Sequence, residues 1–504
     1  MVCIKTVSYR FNLNGHHSEY LQARRGLRQG DPISPLLFVL VMEYLHRCLR
    51  KLQDNPEFKF HPKCERLGIT SICFADDLML FTRGDVRSVQ LMMDIITQFS
   101  AATGLKASPT KCRVYFGGVG EEVQQSILSI TGFITGSLPF RYLGVPLMSR
   151  SLNVNMCRPL IDRITAKITH WTAKLLSYAG KQQLVKSVLF AITNFWMQVF
   201  HLPKCVTKHI EAICRSFVWS GKAEVTRKAP VSWKKVCEPK NAGGLNITSL
   251  SEWNTATLGK LLWNIQSKAD KMWVKWVNIY YLKNQNFMTW QPKNDCSVLM
   301  KSLVACRDQI TQTTYWQHVL QDGCYKTSRM YHSLRGDREQ VPWRKIGFKN
   351  LARPRSQFLM RLALLDRINT KIRIQKFGIQ TDLQCVFCAE QETINHLFFD
   401  CRWTRGVWVQ MLQWIGCQHN PGNWHDEKLW LTREASKKGW RRQILKAAAT
   451  ELVYALWQNR NSIVFAQGTR DDHILDRVKF IVYTRCCRHR ILVTHFDENT
   501  LCVE

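Results

Sequence analysis

The sequence predicts an α+β chain: short strands with helices up to about residue 150, helices beyond it, and a small metal knuckle near residue 390. Three observations predict this. Apolar alternation bounded by turn residues marks strands near the start, apolar residues at helical spacing dominate from about residue 160, and four Cys and His residues stand at metal-ligand spacing. The 504 residues give room for about three domains. Hydrophobic residues at 45% and charged residues at 22% match a folded chain and exclude wholesale disorder.

Element by element, Val7–Leu13 and Glu19–Ala23 flank Asn14-Gly15, the pair that favours a tight hairpin turn. Arg25-Gly26-Leu27-Arg28-Gln29-Gly30-Asp31-Pro32-Ile33-Ser34-Pro35 then leads into a helix. Ser34 is expected to cap it, with Pro35 first in the helix, and the run through Leu36, Leu40, Tyr44 and Leu45 is expected to be buried. Gly26 and Gly30 permit close backbone approach, and Arg25 and Arg28 suit phosphate. Ile69–Phe74 and Leu78–Thr82 have strand length and are joined by Ala75-Asp76-Asp77. Two adjacent carboxylates between buried strands call for a cation, and a hard divalent metal answers that need. Leu160, Ile164, Ile168 and Trp171 make one helical stripe, and Leu184, Val188 and Ile192 another.

Further on, Cys385-x2-Cys388-x7-His396-x4-Cys401 supplies three thiolates and an imidazole, a closed tetrahedral Zn2+ set. Phe387, Phe398, Phe399, Trp403 and Trp408 are expected to form the mini-core that zinc organises. With four protein ligands no position is left for a reactive water, which excludes a zinc hydrolase at this site. Ile444–Trp457 reads as an amphipathic helix.

Composition narrows the class of partner. There are 71 Lys and Arg against 38 Asp and Glu, a net charge of +33. Residues 1–150 hold 18 basic and 12 acidic side chains, and residues 151–504 hold 53 and 26, so the surplus is concentrated in the second segment. Such a surplus calls for a polyanion, and 18 Trp among the basic residues suit base stacking beside phosphate neutralisation. The longest uncharged apolar stretch, Ser187–Leu202, contains Thr193, Asn194 and Gln198 and is too short for a membrane span of ~20 residues. Met1-Val2-Cys3-Ile4-Lys5 has no apolar signal region, and the 19 Cys are odd in number and irregularly spaced. An intracellular setting, nucleus or cytoplasm, without membrane or disulfide framework is expected.

The stretch Arg25–Phe38 followed by Phe74-Ala75-Asp76-Asp77 resembles the reverse transcriptases of plant-type non-LTR (LINE-type) retrotransposons. Thr103-Gly104-Leu105-Lys106 with Lys111-Cys112, then Phe140–Leu147, continue the resemblance in family order. So do Val231–Cys237, Asn241–Leu245 and the zinc-domain pattern of Gly323–Trp414, with Tyr331, Trp343, Phe358 and Asn395–Cys401. The resemblance implies a partial palm over 1–150 (antiparallel sheet plus helices), a helical thumb or connection over 151–320, a zinc-binding domain over 321–420 and a helical tail over 421–504. It implies Asp76 and Asp77 as Mg2+ ligands, Lys111 as an aid to pyrophosphate departure, and Tyr142, Leu143 and Gly144 as the primer grip. Arg25, Arg28, Gln29 and Gly30 are implied as substrate-binding, with an RNA template, a DNA primer or target and a dNTP as partners.

Departures matter as well. The family has another metal-binding aspartate several dozen residues before the Arg25 motif, whereas none of the 24 residues preceding Arg25 here is Asp. Ser108 stands where Asn is usual. The expectation is a family polymerase segment that does not synthesise DNA alone; the alternative is a non-catalytic nucleic-acid-binding remnant or domesticated element protein. Only 39 residues follow Phe465, too few for a ribonuclease H fold, so no such activity is expected.

Overall fold

Asn14 and Gly15 lie at φ 53° and 88°, the left-handed pair that a two-residue hairpin turn requires. Around them strands β1 (Ser8–Tyr9), β2 (Asn12–Leu13), β3 (His16–His17) and β4 (Leu21–Gln22) pair as β2 with β3 and β1 with β4, as the Asn-Gly signal predicts. The structure is a computed structural model and describes residues 7–23, 26–171, 176–226, 229–294, 296–348 and 350–486. It divides into two units, Met1–Arg150 with Lys268–Gln291, and Ser151–Ser267 with Pro292–Glu504.

In the first unit, helix α1 (Ser34–Arg50) starts one residue earlier than expected. Ile33, not Ser34, is the cap, and the Ser34 hydroxyl instead donates to the Arg28 carbonyl at 2.7 Å. Asp31 explains the shift, because its carboxylate accepts from the Ile33 N–H at 3.1 Å and turns the chain into the helix early. The expected burial of α1 is also corrected. Leu36 and Leu40 are each 66% exposed, and the buried residues are Leu45 and Leu49 near the C-terminal end. They are buried because this unit's core of Leu45, Leu49, Leu52, Phe58, Met92 and Phe99 lies under that end alone.

Strands β5 (Ser71–Phe74) and β6 (Asp77–Leu80) pair antiparallel, and Leu78 and Leu80 rest on the same core. Helix α2 (Val86–Thr103) is capped by Asp85, which accepts from the Ser88 N–H at 2.9 Å, and ends at Gly104 with φ 76°. Strands β7 (Arg113–Val114) and β8 (Ile134–Thr135) pair parallel because helix α3 (Glu121–Thr131) crosses between them. Strands β9 (Phe140–Tyr142) and β10 (Val145–Leu147) close a hairpin over Leu143 and Gly144, at φ 50° and 82°. The sheet content among the described residues is thus five two-stranded ladders, four of them antiparallel. Residues 268–291 return to this unit through Trp276, which donates to the Lys63 carbonyl at 2.7 Å, and Tyr280, which accepts from the Arg66 N–H at 3.0 Å.

The second unit is helical. Leu160, Ile164 and Ile168 of α4 (Arg158–His170) are all buried, as their spacing predicts. The next stripe is rotated from expectation. Val185, Leu189, Thr193 and Trp196 are buried, while Leu184, Val188 and Ile192 are half-buried. The offset is set before the π turn over Val185–Leu189, since Lys181 and Val185 are already the buried positions where it begins. Helix α5 (Lys204–Ser220) buries Ile210, Ile213 and Phe217 against it. Helix α6 (Leu250–Gln266) carries Asn254, 1% exposed, which accepts from the Leu202 N–H and donates to the Met197 and Phe200 carbonyls at 2.8–3.0 Å. Helix α7 (Thr327–Arg335) packs on α6.

A single core then spans residues 343–486. It joins α8 (Pro354–Leu364), α9 (Arg402–Ile415), α10 (Trp440–Ala466) and α11 (Ile474–Cys486). Phe398, Phe399 and Trp408 belong to this core together with Leu452, Leu456 and Val478, so the expected zinc mini-core is corrected to a wall of something larger. Helix α10 is docked by two buried acids. Its own Glu451 accepts from the Arg353 N–H at 2.6 Å, the Arg353 guanidinium at 2.6 and 3.0 Å and the Ser356 hydroxyl at 2.7 Å. Its Arg460, 1% exposed, meets the fully buried Glu392 through two bonds of 2.7 and 3.1 Å. No helix among the described residues is long and apolar enough to cross a membrane.

Arg460→Met leaves Glu392 buried and unneutralised, which costs about 3–5 kcal/mol of stability. The double variant with Glu392→Gln is expected to recover most of that, because Gln still accepts from the Lys371 N–H. Urea unfolding of the full chain measures both, and a loss below about 1 kcal/mol in Arg460→Met refutes the docking role.

Candidate zinc centre and carboxylate hairpin

Two short backbone ties shape the first half of the knuckle: the Cys385 N–H donates to the Glu390 carbonyl at 2.7 Å and the Glu392 N–H to the Leu383 carbonyl at 2.9 Å. They fold residues 385–391 into a tight loop that turns Cys385 and Cys388 inward, with the Phe387 N–H directed at the Cys385 sulfur at 3.5 Å. The second half is a π turn over His396–Asp400, entered through Thr393, whose hydroxyl accepts from the His396 N–H at 2.9 Å. Cys401 leaves that turn as the cap residue of α9. The ligand atoms of Cys385, Cys388, His396 and Cys401 consequently all lie within 4.8 Å of one another. Cys388 Sγ and His396 Nε2 are 3.0 Å apart.

This spacing fits one tetrahedral ion, since bonds of about 2.3 Å to sulfur place sulfurs a little under ~4 Å apart. The thiol chemistry fits as well. The Cys385 thiol donates to Cys401 and, with the N–H groups of Thr404 and Trp403 opening α9, pulls the Cys401 thiol down to about 5 despite its burial. Cys385 is correspondingly pushed up, first by holding that proton and then by burial. Four protein donors leave no open position, so an ion here organises structure and has no water to activate.

The second arrangement is the turn between β5 and β6. Ala75 at φ 51° makes it tight, Phe74 pairs with Asp77, and both Asp76 and Asp77 are exposed. The expectation of carboxylates between buried strands is corrected here, since Ile72 and Phe74 on the same ladder are also exposed. Tyr142 of β9 lies within the field of this turn. Its phenol is pushed up by burial first, and then by Asp77 and Cys73. Cys73 is likewise pushed up by burial and by both carboxylates.

Leu143 and Gly144 form the tip of the hairpin whose strand β9 carries Tyr142. Arg28, Gln29, Gly30 and Lys111 are exposed, and among the described residues none is hydrogen-bonded or ion-paired through its side chain to Asp76 or Asp77. Gly30 has φ 88°, a conformation that suits glycine. Arg25 lies outside the described residues.

Sequence reading missed Glu392 and Arg460. The available signal was a charge, Arg460, following Leu452, Val453 and Leu456 on one helix face, and an acid between two knuckle ligands.

Residues 2–147 match the family described as reverse transcriptase (RNA-dependent DNA polymerase). Residues 325–408, which contain all four knuckle residues, match the family described as zinc-binding in reverse transcriptase. The chain carries a reverse transcriptase domain and a reverse-transcriptase zinc-binding domain. It is similar to a retrovirus-related Pol polyprotein from a type-2 retrotransposable element of Drosophila melanogaster, 28% identical over 47% of this chain and 22% of that protein. A Pol polyprotein from a type-1 retrotransposable element of Popillia japonica is 27% identical over 30% of this chain and 25% of that protein. An Arabidopsis thaliana protein named as a ribonuclease H protein is 25% identical over 34% of this chain and 28% of that protein. The reverse transcriptase match thus spans all of the motifs from Arg25 to Leu147, and the chain's relatives include non-LTR retrotransposon polyproteins. The chain spans about a quarter of the length of these curated relatives.

Zinc removal by a chelator, or Cys388→Ser, is expected to lower the helical signal in circular dichroism and to weaken RNA affinity together. Unchanged spectra and affinity after zinc removal, verified by metal analysis, contradict a structural zinc centre.

Proposed function

We propose that the chain is the template–primer-holding portion of an RNA-directed DNA polymerase of LINE type. Residues 1–150 act as part of a palm, 151–320 as a helical thumb or connection, 321–420 as the zinc-binding domain and 421–504 as a helical extension of it. The reading is carried by one observation: the exposed Asp76-Asp77 turn, with Tyr142 in the field of Asp77, within a segment that matches reverse transcriptases.

In this reading Asp76 and Asp77 hold Mg2+, which supplies Lewis-acid stabilisation where a primer 3′-OH attacks the α-phosphate of a dNTP and pyrophosphate leaves. Lys111 assists that departure. Arg25, Arg28, Gln29 and Gly30 position the substrate, and Tyr142, Leu143 and Gly144 hold the primer end. Lys and Arg side chains beyond residue 150, 53 against 26 acids, grip the RNA template and DNA primer or target through phosphates and without base reading.

Mg2+ prefers six oxygen ligands, several of them water, and two-metal catalysis draws carboxylates from both sides. Among the described residues, no third Asp, Glu, His or Cys joins Asp76 and Asp77 in a metal-sized group. The chain by itself is therefore expected to bind template–primer without extending it, and a further carboxylate must come from a complementing segment. The same observation favours the second reading, a nucleic-acid-binding protein without catalysis.

A primer-extension assay with an RNA template, Mg2+ and dNTPs tests both. The expected result for the isolated chain is salt-sensitive binding and no incorporation. Incorporation that disappears in Asp76→Ala places a complete site within this chain and overturns the incompleteness, whereas absence of template–primer binding overturns the polymerase reading.

A further inference from the structure

A cavity of 390 Å³ lies between the turn that ends α9, the helix Trp424–Ser436 and the start of α10. Its volume falls in the range of about 300–1,000 Å³ that small-ligand sites occupy. Two larger cavities, of 520 and 540 Å³, flank Arg338, but neither is lined by a Trp, Tyr or Phe. This one is lined by Trp430 and Trp440.

Both rings are half-buried and packed against the helical core, which holds them in place. Trp430 is also backed by His419, stacked on it with ring centres 3.8 Å apart and 2° between the planes. His419 is fixed in turn by the fully buried Glu427, whose Oε1 lies 2.7 Å from Nε2. His419 does not line the cavity, so Trp430 meets it with the surface that His419 leaves open. Over Trp440 stands Arg441, its guanidinium carbon 5.2 Å from the ring centre.

The charge around these rings is positive. Lys438, Arg441 and Arg442 line the cavity with one acid, Glu434. That acid is already matched, its Oε1 2.5 Å from Lys437 Nζ and its Oε2 2.5 Å from Arg442 Nη1. Lys438 and Arg441 are exposed and have no ion-pair partner among the described residues. Gly439 follows Lys438 at φ 123°, and no heavy atom stands within 4 Å of where its Cβ would be, so the glycine serves the backbone path and leaves the space open. Helix α10 starts there without a side-chain cap or a first-turn acid, and the field of its N-terminus has the same sign as the cations.

A base within a duplex has both faces stacked on its neighbours, whereas an unpaired base can stack on a protein ring or a guanidinium plane. Fixed rings beside surplus cations match such a base together with its phosphate. We propose that this cavity seats one unpaired nucleotide, its base against Trp430 and Trp440 and its phosphate toward Lys438 and Arg441. The nucleotide comes from a single-stranded stretch of a bound polynucleotide or from free nucleotide. For the first source the inference rests on the nucleic-acid-binding reading above, and it adds a single-strand site to a chain whose cations otherwise grip phosphates alone.

The test uses the full zinc-loaded chain with Trp440→Leu, Trp440→Phe and Arg441→Gln, the last at an exposed position. Fluorescence anisotropy measures a labelled single-stranded RNA, an abasic strand of the same length and an RNA–DNA hybrid at several salt concentrations. Melting is followed with and without millimolar adenosine monophosphate. Trp440→Leu is expected to bind the single strand roughly tenfold more weakly, with affinity for the abasic strand and the hybrid unchanged. Trp440→Phe is expected to keep most of the wild-type affinity, and Arg441→Gln to lower the single-strand salt slope by about 0.7. Adenosine monophosphate that raises the melting temperature of the wild type but not of Trp440→Leu, with strand affinity unchanged, assigns the seat to a free nucleotide. Equal losses on all three probes in Trp440→Leu, or no change with any probe, overturn the seat. Should Trp440→Leu melt early, an unchanged salt slope and nucleotide response in Arg441→Gln overturn it alone. Failure of the wild type to bind strand or hybrid overturns instead the reading on which the polynucleotide source rests.

Discussion

A glutamate and an arginine withdrawn from water tie the knuckle loop to the longest helix of the second unit. Glu392 lies between the knuckle ligands Cys388 and His396, and Arg460 lies near the end of α10, 68 residues further on. Neither charge is tolerable alone at that depth, so the loop that shapes the metal centre and the longest helix of the unit form together or not at all. Glu451 adds a second tie on the same helix, satisfied by a backbone N–H, a guanidinium and a hydroxyl. Apolar burial along Leu452, Leu456 and Val478 supplies the larger free energy. The two acids decide which register and orientation that burial adopts.

This arrangement gives zinc a wider reach than its four ligands. A metal on Cys385, Cys388, His396 and Cys401 would close a loop of 17 residues, and that loop carries Glu392 together with Phe398 and Phe399, which stand in the same core as α10 and α11. A closed centre has no chemistry to perform, and its contribution is to fix the wall of a larger helical body. Residues 151–504 hold 53 of the 71 basic side chains, while the exposed carboxylate turn lies within the less basic first 150 residues.

Much of this was legible in the residues. Asn14-Gly15 dictates its hairpin, Leu160, Ile164 and Ile168 their buried stripe, and the Cys-Cys-His-Cys spacing its cluster, because each depends on local geometry alone. What sequence could not yield depended on distant partners. The apolar look of α1 did not reveal that the core sits only under Leu45 and Leu49. The stripe through Val185, Leu189 and Thr193 starts from Lys181, a charged residue that hydrophobic spacing does not count. Ser34 is drawn into the helix with Ile33 as its cap, because the Asp31 carboxylate accepts from the Ile33 N–H and turns the chain early. The buried pair of Glu392 and Arg460 was hidden because each residue type is ordinarily solvated, and only the apolar company of Arg460 hinted otherwise.

The central claim is that the metal centre and the C-terminal helices are one cooperative body coupled through Glu392 and Arg460. Hydrogen–deuterium exchange of the full chain, with zinc bound and after zinc removal, tests it most directly. The account predicts faster amide exchange on zinc removal not only in residues 385–401 but also along Asn459–Ala466 of α10 and through α11. Exchange that rises in residues 385–401 while α10 and α11 keep their protection contradicts it.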